Sequence, residues 1–78
     1  MNIKELEKLD IGVRRLVDWQ FSRSGGFVKT LFELIAIADD DNKELLKKGF
    51  PLEVEAHENF SLKIGWWEEL CKKLNVDI

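Results

Sequence analysis

No second cysteine accompanies Cys71 and no second histidine accompanies His57, so the chemistry open to this chain is narrow from the start. A lone thiol cannot close an internal disulfide, and no pair exists for a zinc site; both absences suit a reducing compartment. Cys71 falls one turn after Trp67 and is expected as a free core thiol. Glu53 and His57 stand four apart, a spacing that offers two metal ligands from one helix face. A buried site takes three or four ligands, so a solvated histidine is expected instead. Ser22, Ser24, Ser61 and Cys71 would all have to share that single imidazole as a base, and nothing in the sequence ties it to any of them. The expectation is a protein that is not an enzyme and that holds no cofactor and no metal.

Other absences narrow the classes further. No apolar run approaches the ~20 residues of a membrane span, and residues 1–10 are charged where a signal peptide would be greasy, which predicts a cytoplasmic protein. The "DDDNKE" stretch lacks the glycine and the closing glutamate of a calcium loop, and "SGG" lacks the spacing of a phosphate loop. A basic excess is missing too: the net charge is −3. Residues 1–30 carry six basic and four acidic side chains, a balance of +2 that leaves −5 for residues 31–78. That split falls short of the footprint of an autonomous DNA binder, so nucleic acid is not the expected partner.

What is present is helical periodicity. Asn2 caps a short run with Ile3, Leu6 and Leu9; Asp10 starts afresh, with Val13, Leu16, Val17 and Phe21 on one stripe and Trp19 off it. Residues 22–27, "SRSGGF", break the chain, with Ser24 the expected cap of the next helix. Residues 27–38 are apolar over most of the helix circumference, which predicts the central helix of the fold with Leu31, Leu34 and Ile35 in the core. Asp39 to Asn42 end it and cap a short helix carrying Leu45 and Leu46, stopped at Gly49. Pro51 suits the first turn of a further helix that directs Glu53, Glu55 and Glu58 to solvent, before a linker over 61–65. The last helix bears Trp66, Trp67, Leu70, Cys71 and Leu74 and ends in Lys72 and Lys73. No long strand alternation appears, so the fold class is all-α: a single domain, residues 1–78, built as a bundle of four to five short helices.

The adjacent tryptophans raise a packing question, because neighbours on a helix point about 100° apart. Trp66 aligns with Leu70, whereas Trp67 aligns with Cys71 and Leu74, and both stripes are apolar. Either both rings close the core of a small domain or one lies at the surface, with Trp67, on the longer stripe, the ring expected inside.

The ordered segments S-G-G-F at 24–27, A-D with a following Asn at 38–42, G-F-P-x-E-V-E-A at 49–56 and G-W-W-E at 65–68 resemble a group of small phage and prophage proteins without assigned activity. The resemblance covers residues 24–70, with an added acidic residue at 39–42 and with His57 where such proteins are often more basic. It implies a mobile-element context, in which tiny acidic proteins often bind and block a larger one. The expected function is therefore a protein-binding module that inhibits a host machine, such as an antiviral defence complex. The candidate contact residues are Arg14, Arg15, Trp19, Arg23, Phe50, Trp66 and Trp67. The alternatives are a DNA-binding accessory protein that uses the Arg14, Arg15 and Arg23 face, and a small oligomeric assembly factor.

Overall fold

In the computed structural model, which describes residues 2–76, helix starts fall where local chemistry favours them. The Oδ1 atom of Asn2 accepts from the Glu5 N–H at 3.3 Å and opens α1 (Ile3–Glu7). Asp10 accepts from Val13 N–H at 2.9 Å and opens α2 (Ile11–Gln20). After α3 (Gly26–Ile37), Asp39 accepts from Asn42 N–H at 2.9 Å and opens α4 (Asp40–Gly49). Pro51 is the first residue of α5 (Pro51–Leu62), where its missing N–H costs no helical bond. The described chain closes with α6 (Trp66–Leu74), which carries Glu68 and Glu69 in its first turn and Lys72 and Lys73 in its last, as the helix dipole favours. The described residues thus form six helices, not four or five, because Asp10 recaps the chain and leaves α1 as a separate short element.

The break after α2 differs from the expected one. Ser22, at φ 57°, takes the left-handed position, while Arg23 N–H reaches back to Asp18 O at 2.7 Å and Ser22 N–H to Trp19 O at 3.1 Å. These two bonds satisfy the carbonyls that a helix end leaves open. Because this turn uses up Ser22 and Arg23, α3 begins only at Gly26; its N-cap is Gly25 without a side-chain bond, and Ser24 does not cap it. At the other end of the fold, α5 runs on through Leu62, so the linker shrinks to 63–65 and turns at Gly65 with φ 85°.

The central helix is α5 and not α3, since α5 packs against α2, α3, α4 and α6. Its closest neighbour is α2, at the crossing where buried Gly12 meets the Leu52–Glu53 peptide. Two cores flank α2. Leu16 joins Leu31, Phe32, Ile35, Val54 and Ala56 in the larger one. On the other side Val17 joins Leu70 and Leu74, with Leu6, Leu9 and Val76 packed around them. Leu16 and Val17 are adjacent, so α2 serves both cores from neighbouring faces of one helix. The amide of Asn2 donates to Leu74 O at 2.6 Å and ties the start of α1 to the end of α6.

Burial corrects several expectations. Leu31 and Ile35 are core, but Leu34 is 46 % exposed, because α3 has a neighbour on one side only. Glu53 does not face solvent; it is buried in the α2–α5 crossing against Arg15. Glu58 is half-buried and accepts from Lys47 at 3.2 Å, a pair that pins α4 to α5. Both tryptophan rings of α6 are half-buried, and neither is the surface ring. Trp66 touches both cores, and Trp67 stands edge-on to Phe60 at 5.4 Å and tilted to Phe21 at 6.0 Å.

Candidate protein-binding surface

Local sequence forces the apolar residues of α3 around its whole circumference, yet the fold covers only one side. Phe27, Leu34 and Ile37 are left 67, 46 and 80 % exposed. On α4, Leu45 is 60 % exposed and points to the same side. Since α4 lies on α5 and does not pack closely on α3, the two antiparallel helices leave a groove between them. One part of it is a cavity of about 480 Å³ lined by Gly26, Phe27, Thr30, Leu31, Leu34, Leu46 and Phe50. The other part, about 330 Å³, is lined by Leu34, Ile37, Ala38, Asn42, Leu45 and Leu46. Leu34 and Leu46 belong to both, so the two hollows form one trough with a floor of aliphatic side chains. Phe27 and Phe50, with ring centroids 5.9 Å apart, close one end of it, and Asp39, Asp40 and Asp41 stand at the other. Contiguous exposed apolar surface of this kind marks an interaction site.

Of the residues expected at a contact surface, only Phe50 lies in this groove. Arg14 is exposed on α2. The guanidinium of Arg15 bonds Glu53, and Arg23 lies 3.5 Å from Asp18 and 5.5 Å from the centre of the Phe21 ring. Trp19 stacks on Phe32 at 5.1 Å, with an interplanar angle of 15°. A ladder of rings then runs from Trp19 through Phe60 and Trp67 to Phe21, along the seam of α2, α5 and α6. The ladder joins Trp19, Trp67 and Arg23 but leaves Phe50 apart. Leu34 reads from the sequence as core, although a helix apolar all round needs neighbours on every side. A chain of this size cannot supply them, and that shortage was the available signal.

His57 is not solvated. It is 8 % exposed, with its ring 6.1 Å from Trp19, 6.3 Å from Phe32 and 6.3 Å from Phe60, and its Nδ1 has no hydrogen-bond partner among the described residues. Burial among rings pushes its pKa down; Lys43 adds to the shift and Glu58 opposes it. The unfolded chain therefore binds a proton below the ordinary value of 6.5 more readily than the folded one does. Stability contributed by the neutral ring is complete above that value and falls as the pH drops through it. The denaturant midpoint is expected to fall between about pH 7.5 and about pH 5.5, and the fall should shrink in His57→Leu. A wild-type midpoint that holds level across this interval would contradict the burial.

Burial, followed by Glu68, raises the pKa of the Cys71 thiol and keeps its nucleophilic thiolate scarce. Among the described residues no three His, Cys, Asp or Glu side chains gather as a metal site, and no helix is long and apolar enough to cross a membrane. Comparison of the chain with protein-family models, curated proteins and solved structures gives no match.

Proposed function

We propose that this chain is a protein-binding module without enzymatic activity, of phage or mobile-element origin, that docks on a larger host or phage protein through the α3–α4 groove. The observation that carries this reading is the trough itself: four large apolar side chains left open by a chain that needs its apolar residues for a core. Arg15 of α2 and Arg23 in the turn beyond it support it in a second way. Arg15 and Arg23 already face carboxylates, which weakens the α2 face as a phosphate-binding surface and favours protein over nucleic acid as partner. Phe50 belongs to the contact surface on this reading, while Trp19, Trp66 and Trp67 build the scaffold behind it. Inhibition of a host complex is the most concrete form of the proposal and follows from the resemblance to small phage proteins.

An affinity capture from the producing cell tests the reading, with wild type compared against Ile37→Glu and Arg14→Glu. Both variants alter exposed side chains and are expected to keep the far-ultraviolet helix signal. The wild type and Arg14→Glu should retain the same partner, and Ile37→Glu should lose it. Equal capture by all three proteins would place the contact elsewhere.

A further inference from the structure

We infer that the α3–α4 groove also accepts a second copy of this chain, docked about a two-fold axis so that Asp41 of each copy meets the partner's Lys48. The inference rests on the reading of the groove as an interaction surface and names one occupant for it. Its basis is the distribution of charge along the rim. On α4, Asp41, Leu45 and Lys48 fall at i, i+4 and i+7, one face of a helix, with an acid at one end, the exposed leucine in the middle and a base at the other. The α4 rim is therefore basic toward Phe50 and acidic where Asp39 to Asp41 begin the helix.

A surface polarised end to end in this way repels a parallel copy and matches an antiparallel one. A two-fold axis through the middle of the trough places each acidic end on the other's basic end, the self-complementarity that an isologous dimer requires. The same operation brings Leu34 and Leu45 of both copies together at the centre. The four exposed apolar side chains offer on the order of 400 Å² of apolar surface, within the range of the largest patch a monomer leaves open. A standard interface takes roughly 800 Å² a side, about one-seventh of the chain's 5332 Å². The apolar part of the trough supplies about half of that, the size of a weak, transient contact. A weak dimer results, with a dissociation constant on the order of 10 µM. Self-association and capture of a target are then competing uses of one face.

Sedimentation equilibrium of the full chain across about 1–500 µM tests this, with far-ultraviolet circular dichroism to verify that every variant keeps its helices. The wild type should pass from the 9.1 kDa monomer to a dimer over this range. Ile37→Glu should weaken the dimer at least a hundredfold, because the substitution enters the interface twice. Asp41→Lys and Lys48→Glu should each weaken it about tenfold by facing like charges, and the double variant Asp41→Lys/Lys48→Glu should recover wild-type affinity. A wild type that remains monomeric throughout overturns the dimer, while a target still captured through Ile37 leaves the binding surface standing. A dimer indifferent to Ile37→Glu, or a double variant no better than its singles, overturns the proposed face or its register.

Discussion

Replacing Gly12 with alanine is expected to destabilise the protein by about 4 kcal/mol, a large share of the 5–15 kcal/mol that small domains possess. A Cβ at this position would land on the Leu52 carbonyl and lie 2.8 Å from the Glu53 amide nitrogen. Both are backbone atoms, so no side-chain rotation relieves the collision, and α2 and α5 must move apart. That separation loosens Leu16 from Val54 in the larger core, and it strains the ion pair between Arg15 and Glu53 across the same crossing. Gly49, the last residue of α4, makes the opposite case: nothing lies within 4 Å of its added Cβ. There the better helix propensity of alanine and the stiffer unfolded chain should add up to about 1 kcal/mol. Denaturant midpoints of the two variants and the wild type decide the matter. If Gly12→Ala matched Gly49→Ala in sign, the close crossing of α2 and α5 would be wrong.

Gly12 also shows where sequence reading stops. In the sequence it is an interruption of helical periodicity; in the fold it is the contact that lets the most intimate helix pair form. The caps at Asn2, Asp10, Asp39 and the Pro51 start were legible because each depends on atoms within four residues. Leu31, Ile35 and Leu74 were legible because a strong apolar stripe has to be buried somewhere. Glu53 and His57 were not, since their burial depends on partners distant in the chain: Arg15, 38 positions away, for one, and the rings of Trp19 and Phe32 for the other. The groove failed to show for a related reason. Periodicity states that α3 is apolar all round, but only the packing of α4 on α5 determines which of its sides stays open. Phe50 is legible as a contact residue because an aromatic can join an exposed indole in an apolar patch, whereas Leu34 reads as ordinary core.

Arg15→Met is expected to cost about 2–4 kcal/mol, more than any loss the exposed part of the arginine itself explains. Arg15 Nη1 lies 2.5 Å from Glu53 Oε2, and the Glu53 side chain is only 6 % exposed while that of Arg15 is 37 %. The arginine thus remains partly in water and gains little from the pair. The carboxylate has left water and has the guanidinium as its ion-pair partner, so truncation of Arg15 strands a buried anion. Glu53→Leu removes the anion and leaves an arginine that can turn to solvent, a milder loss. The double variant Arg15→Met/Glu53→Leu should therefore be more stable than Arg15→Met alone, with a coupling of about 1–3 kcal/mol between the two positions. Arg14→Met provides the comparison on the same helix. Arg14 is exposed on α2, and its replacement should stay within about 0.5 kcal/mol of the wild type. Guanidinium unfolding of the five proteins yields the full cycle. An Arg15→Met variant as stable as Arg14→Met, or a double variant no better than Arg15→Met, would show that Glu53 does not need its partner. Arg15 would then return to the list of side chains free to meet another protein.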